Sequence, residues 1–208
     1  MISHTGVVHS FLFPSLLWRM ESDSIYLTFD DGPHPAATPA VLKMLKAENI
    51  KATFFLTGSH VREHPSLVRN IFEEGHTLAI HGYTHRRSLA FSKKETVREI
   101  LETEDAISKT GSRGAKLFRP PFGFFLWTTL AAAKALNYKI VMWTTLTGDF
   151  RRDWSDEKVV STALSKLSGG SILVLHDNEL TNSRLRNILP EIIARIRDRG
   201  FTFQAIKI

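Results

Sequence analysis

Two adjacent carboxylates, Asp30 and Asp31, follow directly on an apolar run, Ile25–Phe29 (IYLTF), and precede Gly32-Pro33. Paired aspartates before Gly-Pro most simply make a turn. Here they close a strand-like segment, and two unpaired like charges at its buried end are costly. A cation on one carboxylate and an arginine on the other would relieve that cost. His81 and His85 could complete such a site. Side chains at that spacing share a face wherever the segment turns helically, so both imidazoles can meet one ion. Asp31, His81 and His85 then form a two-histidine, one-carboxylate set that leaves positions open for water and substrate. Taken alone, His-x-x-x-His is a weak signal, because most histidines at that spacing are core or surface residues. His176 ends a second apolar run, Ser171–Leu175 (SILVL), and alone reads as a hydrogen-bonded structural histidine. Asp149 gives it a carboxylate that could orient the ring.

The elements that must position these groups alternate. β-type runs recur at Ile25–Phe29, Ala52–Leu56, Thr77–Ile80, Lys116–Phe118, Lys139–Trp143, Ser171–Leu175 and Phe201–Ile206, seven in all. Thr38-Pro39 reads as an N-cap with proline at the first helical position, opening Pro39–Glu48. His64-Pro65-Ser66 opens a second helix, which Gly75 stops. Ser92–Glu95 has the form of a capping box and opens a helix to Lys109. Leu126–Leu136, Asp156–Leu167 and Asn187–Arg199 follow. Strand–helix alternation with near-continuous apolar strands predicts an α/β fold whose parallel sheet is covered on both faces. Periodicity alone leaves open a doubly wound sheet or a small (β/α) barrel. In either, active sites lie at the C-terminal edge of the strands. That edge collects Asp30, Asp31, His81, His85, Arg119, Asp149 and His176.

Five segments then fall in a familiar order: Thr28–Pro33 (TFDDGP), His81–His85 (HGYTH), Arg119–Gly123 (RPPFG), Trp143–Phe150 (WTTLTGDF) and Leu173–His176 (LVLH). They resemble the motifs of the polysaccharide deacetylases, the NodB-like domain of carbohydrate esterase family four, with the fourth in a weaker form. The resemblance runs from Ile25 to Ile206. It implies a distorted (β/α) barrel of about seven parallel strands, a single domain over residues 23–208; the short apolar run Phe11–Trp18 reads separately as part of an N-terminal segment, 1–22, packed on that domain. The resemblance also implies hydrolysis of N-acetyl groups on an amino-sugar polymer or oligosaccharide, with one divalent metal ion, usually Zn2+. By that resemblance Asp31, His81 and His85 hold the metal. Asp30 is the general base with Arg119 as its partner, and His176 is the general acid with Asp149 hydrogen-bonded to it. A backbone N–H near Phe122 would serve as a second oxyanion donor. Strand alternation puts Val174 on the face of His176, where it would line a pocket for the acetyl methyl. Trp143 and Trp154 could stack on sugar, with core packing the simpler role for Trp143. The chain departs from the family pattern in carrying Phe122 for a frequent Tyr, Phe150 for the usual Trp, and Leu146 where many members have an Asp. Those changes bear on substrate fit.

The chain is 208 residues, 43% hydrophobic and 23% charged, as suits one soluble domain with a sizeable core. It has no cysteine, which excludes disulfides and thiolate metal sites. Basic residues outnumber acidic ones 27 to 21, giving a net charge of +6. That excess would attract nucleic acid, an anionic polymer or a membrane surface. Part of it sits between Arg184 and Ile208, where a solvated helix face is the simpler reading, and no nucleic-acid partner is expected. Phe11–Trp18 (FLFPSLLW) is apolar but short, with no basic residue before it and no evident cleavage site, which favours a cytoplasmic over an exported protein. No stretch approaches the ~18 apolar residues of a membrane span. Three rival readings remain: a hydrolase of another non-peptide C–N bond, such as a cyclic amide, on the same fold; a silent carbohydrate-binding module; and an anion-binding protein. Retention of all seven principal motif residues opposes the second.

Overall fold

The segments Tyr26–Asp30 (β1) and Thr53–Leu56 (β2) are buried at every position, the pattern of parallel strands covered on both faces. In the computed structural model, which describes residues 11–207, they lie at the centre of a seven-stranded sheet. The others are Thr77–Ile80 (β3), Leu117–Phe118 (β4), Lys139–Ile140 (β5), Thr145–Leu146 (β6) and Ile172–His176 (β7). The order is β5-β4-β3-β2-β1-β7-β6, and every pairing is parallel. The sheet curls into a half-barrel of a single domain, with β5 and β6 as its edges.

Seven strands were expected and seven form, but one member differs. Phe201–Ile206 is not a strand; only Phe203 pairs, through an isolated bridge to Ile25. The reason is competition. Both edges of β1 are taken by β7 and β2, so the C-terminal segment reaches only the residue before them. The seventh strand is instead Thr145–Leu146, too short for a period-2 signal, paired to Leu173 and Val174. β1 also extends one residue further than its apolar run, so Asp30 is itself a strand residue, level with His176.

Seven α-helices lie between and after the strands among the described residues: Ala37–Ala47 (α1), Gly58–Glu63 (α2), Pro65–Glu73 (α3), Lys93–Lys109 (α4), Trp127–Ala135 (α5), Asp156–Leu164 (α6) and Asn182–Asp198 (α7). Half of the expected capping box forms: the Ser92 hydroxyl accepts from the Glu95 N–H, while the Ser92 N–H goes to the Leu89 carbonyl rather than to the Glu95 side chain. Thr38 is not an N-cap. It lies inside α1, where its hydroxyl accepts from the His34 N–H and donates to Asp177, a carboxyl with no solvent exposure. Helix α6 stops three residues early, before Lys166 at φ 55°. Helix α7 starts five residues earlier than expected and carries Pro190 within it. In the stretch before β1, Leu16 and Trp18 are buried and Leu17 bridges to Val141, extending the sheet past β5. Residues 1–10 of the expected segment 1–22 lie outside the described residues.

One buried histidine away from the catalytic edge ties acid stability to the sheet. The His76 Nδ1 accepts the Ala52 N–H at 3.1 Å, linking the approaches to β3 and β2. Burial pushes its imidazole down to about 4, with the Lys51 charge adding to the effect. Between pH 6.5 and 4 the unfolded chain therefore binds a proton that the fold refuses. Stability falls as pH drops through that window, by about 3 kcal/mol at most. Urea melts at neutral and mildly acid pH should show a larger acid loss for the wild type than for His76→Asn, which keeps an acceptor but cannot protonate. Equal losses would remove His76 from the account.

Candidate active site

The C-terminal ends of β1, β3, β4 and β7 deliver the polar groups to one place. Asp31 follows β1 and His81 follows β3, and the turn after His81 brings His85 back. The ligand atoms of Asp31, His81 and His85 all lie within 4.8 Å of one another. Asp31 Oδ1 is 3.1 Å from His85 Nε2 and 3.5 Å from His81 Nε2. The backbone is bent to achieve this: Asp31 and His85 have φ of 77° and 51°, values that cost non-glycine residues about 1–3 kcal/mol each. Gly82, at φ 84°, makes the turn between the histidines.

The protonation pattern suits a cation. The Arg119 carbonyl oxygen lies 2.7 Å from His81 Nδ1, and since a carbonyl only accepts, Nδ1 carries the proton and Nε2 presents its lone pair. Burial pushes the His81 imidazole down to about 4 despite the nearby Asp30 carboxylate, so it is neutral at pH 7. For Asp31, burial opposes the charge, but the His85 Nε2 that faces it at 3.1 Å and the positive charge of His176 outweigh burial and hold the carboxyl well below the usual carboxylate range. Its Oδ1 is buried with no hydrogen-bond partner and is aimed at both Nε2 atoms. An acceptor orphaned between two imidazole Nε2 atoms, that of His81 presenting its lone pair, fits a divalent cation. Two residues missed from sequence complete the setting. Asn178 donates to Asp31 Oδ2 at 2.8 Å, and His60 Nδ1 lies 2.8 Å from the Asp31 backbone oxygen. Neither sits in a recognisable spacing, so no signal in the sequence singled them out.

Asp30 is paired on the other side. Arg119, fully buried, donates from Nη1 to Asp30 Oδ1 at 2.6 Å and to Thr28 Oγ1 at 2.8 Å. Its remaining donors go to the Val141 and Met142 carbonyls, and its guanidinium lies 4.0 Å from the Phe55 ring centre. The free Asp30 oxygen, Oδ2, points toward the histidines, 3.9 Å from His81 Nε2. Across the cleft, Asp149 takes both the Nδ1–H of His176, at 2.9 Å, and its backbone N–H, at 2.7 Å. Burial works against the His176 charge, but the Asp149 carboxylate outweighs it and raises the imidazole to about 10.

Asp30, Asp31, His81, His85, His176 and Asn178 line a cleft of about 300 Å³, with Arg119 and Asp149 buried behind it. Phe122 and Phe150 line it as expected, with the Phe122 ring 4.6 Å from His85 and the Phe150 ring edge-on to His176 at 5.2 Å. Val174 does not: it is buried, and Trp143, Leu146 and Leu180 supply the apolar wall instead. The alternation argument fails because β6 pairs beside Val174, and its Leu146 stands at the cleft. Trp143 is both packed in the core and exposed to the cleft at its edge, against Gly123, where a Cβ would meet its ring at 2.1 Å. Trp154 is not at the cleft; it packs under Arg151 and against Gly148.

A family model described as polysaccharide deacetylase matches residues 19–141. The chain belongs to the polysaccharide deacetylase family. A chitooligosaccharide deacetylase of Sinorhizobium fredii is 32% identical, over 88% of this chain and 90% of that protein. A peptidoglycan-N-acetylglucosamine deacetylase of Bacillus cereus is 32% identical over 86% of this chain, which spans 65% of that protein's length. Among solved structures, a peptidoglycan N-acetylglucosamine deacetylase in complex with a naphthyl N-hydroxybenzamide superposes with a TM-score of 0.87 at 28% identity. The match covers 97% of this chain and 95% of that one.

In this polysaccharide deacetylase the loop from His81 to His85 is held from behind. Glu99, on α4, is buried, and its carboxylate accepts from the Tyr83 N–H (2.6 Å), the Thr84 N–H (2.7 Å) and the Thr84 hydroxyl (2.6 Å). Those donors lie between the two histidines, so Glu99 fixes the turn that makes them converge. The Arg119-Pro120-Pro121-Phe122-Gly123 segment lies opposite as a tight turn, with Phe122 at φ 60°. Its backbone bonds run from the Gly123 N–H to Pro120 and from the Phe124 N–H to Pro121, and neither uses the Phe122 N–H.

Proposed function

We propose that the chain removes N-acetyl groups from an amino-sugar oligosaccharide or polymer in a metal-dependent hydrolysis, Asp31, His81 and His85 being the ligands. The observation that carries this reading is the orphaned Asp31 Oδ1 facing two Nε2 atoms, with Asp30 on one flank and His176 on the other. A divalent ion held there, Zn2+ by the preference of imidazole and carboxylate ligands, would polarise the acetamide carbonyl and acidify water. Asp30, bonded to Arg119 through Oδ1, accepts the proton of the attacking water through Oδ2. The Phe122 N–H is placed to donate to the developing oxyanion. His176, carrying its proton at neutral pH, donates it from Nε2 to the departing amine, and Asp149 supports the imidazolium through Nδ1. The apolar wall of Trp143, Leu146 and Phe150 suits the acetyl methyl. The hydroxamate bound by one relative is a group that chelates metals and mimics an amide, which agrees with this reading.

Acetate release from N-acetylated chito-oligosaccharides and peptidoglycan fragments is the direct test, run alongside small cyclic amides. Acetate should appear with the glycans, stop on chelation and return with Zn2+. Hydrolysis of a cyclic amide without acetate from any glycan would shift the assignment to the related C–N hydrolases. Asp31→Ala should abolish Zn2+ binding in a calorimetric titration; undiminished affinity would overturn the ligand set.

Glu99 gives a second handle on the metal site. Glu99→Ala leaves the Tyr83 and Thr84 N–H groups without an acceptor and should weaken Zn2+ binding about 10- to 100-fold. Glu99→Gln should lose much less, because its carbonyl can still take the two N–H groups while the Thr84 hydroxyl turns to accept. Equal Zn2+ affinity in Glu99→Ala and wild type would reduce Glu99 to a packing residue.

A further inference from the structure

Nine large apolar side chains are exposed among the described residues, and six of them lie on three segments that meet one another. These are Phe11 (83% exposed), Leu12 (61%), Phe91 (67%), Phe122 (41%), Leu126 (37%) and Trp127 (77%). Three segments build it, and contacts join them. The Arg87 guanidinium lies 5.2 Å from the Phe122 ring centre and 5.7 Å from that of Phe124. Phe91 meets Phe124 at 5.7 Å, and the Thr128 hydroxyl bonds the Ala90 carbonyl. Phe13 packs on Phe125 at 5.0 Å and on Trp127 at 6.3 Å. An open groove of about 580 Å³ runs along the same face between Leu16 and α5, passing Trp127, Leu130 and Lys134.

The charge on this face is one-signed. Segments 11–18, 86–94 and 122–136 carry Arg86, Arg87, Lys93, Lys94 and Lys134, all exposed, and contain no Asp or Glu; the nearest carboxylates are paired, Glu95 with Arg98 and the buried Glu99 with Arg86, and one amide, Asn137, ends the groove. Protruding aromatic and leucine side chains ringed by lysine and arginine match the interfacial zone of an anionic bilayer, where rings sit among the headgroups and the cations pair with phosphates. A soluble glycan fits less well. Sugar hydroxyls call for several carboxylate and amide acceptors, and the groove supplies a single amide, Asn137. A second copy of the chain would bring like charges together.

We propose that this face docks the protein peripherally on an anionic lipid bilayer. No helix among the described residues is long and apolar enough to cross a membrane, so the contact is one of partial insertion. Phe122 belongs to both the face and the cleft, so docking sets the cleft mouth beside the headgroups. The docking itself does not depend on the proposed hydrolysis.

The test uses the whole protein and two kinds of vesicle, phosphatidylcholine alone and phosphatidylcholine mixed with phosphatidylglycerol. Co-sedimentation is expected with the anionic vesicles, weakening as salt is raised. Trp18 and Trp143 are buried and Trp154 is half-buried, so Trp127 reports the contact. Its emission should shift to the blue and become shielded from iodide on binding, and the change should vanish in Trp127→Ala. Phe91→Ala with Trp127→Ala, and separately Arg86→Gln with Arg87→Gln, should each lower partitioning at least about tenfold. Both pairs replace exposed side chains, and unchanged circular dichroism verifies their folds. The proposal is overturned if neither vesicle binds or if both variant pairs bind like wild type. It is also overturned if Trp127 is shielded by self-association in sedimentation velocity, or by soluble chito-oligosaccharide with no vesicle binding.

Discussion

Asp30→Asn should lower kcat by about 10²–10⁴-fold and destabilise the fold at the same time. The first effect follows from chemistry: an amide of the same shape cannot take the proton of the attacking water. The second follows from burial. Arg119 has no solvent exposure, and among the described residues Asp30 Oδ1 is the only carboxylate oxygen bonded to it. Removing one partner of a buried pair leaves an uncompensated charge, typically at a cost of about 3–5 kcal/mol. The two effects separate in the double variant Asp30→Asn with Arg119→Met. Neutralising both partners should recover much of the melting temperature, because the charge no longer needs a counter-ion, while turnover stays as low as in the single variant. Zn2+ affinity should change little, since Asp30 Oδ2 lies 3.9 Å from His81 Nε2 and Asp31 is untouched. Turnover of Asp30→Asn within about threefold of wild type would remove Asp30 as the base.

The same pairing shows why the site was more legible than some of the elements around it. Catalytic groups sit at strand ends, and strand ends are marked by apolar runs that stop at a polar residue. Asp30, His81, Arg119 and His176 were visible on that ground alone, and the parallel sheet brought them together. Family motifs then added roles that spacing could not. What escaped notice depended on contacts between segments far apart in the chain. Glu99 looks like an ordinary surface residue of an amphipathic helix until α4 is seen to turn it onto the Tyr83–Thr84 backbone. Asn178 bonds a carboxylate 147 positions away. Val174 was misplaced because strand alternation names a face, and the choice of neighbour, here β6, decides which side chains on that face meet the cleft. The C-terminal run failed as a strand for a similar reason: its composition was right, but the edges of β1 were already occupied.

The imidazole of His176 gives the second large prediction. His176→Ala should reduce kcat/KM on N-acetyl glycans by about 10²–10⁴-fold. An amine leaves poorly without a proton, whereas 4-nitrophenolate leaves readily as an anion. The loss on 4-nitrophenyl acetate should therefore be much smaller, and an equal loss on both substrates would count against proton donation and for a general structural defect. Asp149 sets the pH range of that donor. Burial alone would lower the His176 pKa, and the Asp149 carboxylate instead raises it to about 10. The stabilisation this pair gives the fold is fully present below the ordinary histidine value near 6.5 and is lost as pH rises toward 10. The imidazolium needed for amine departure persists over the same range. In Asp149→Asn the burial effect remains without its counterweight, so the alkaline limb of the kcat profile should move to lower pH and activity near pH 8 should fall more than activity near pH 6. A limb that stays in place would mean that another group holds the proton. The backbone bond from the His176 N–H to Asp149 Oδ2 makes the substitution informative, because Asn can keep that contact through its carbonyl while giving up the charge. Position and protonation are thereby tested apart, and the pH profile reads only the second.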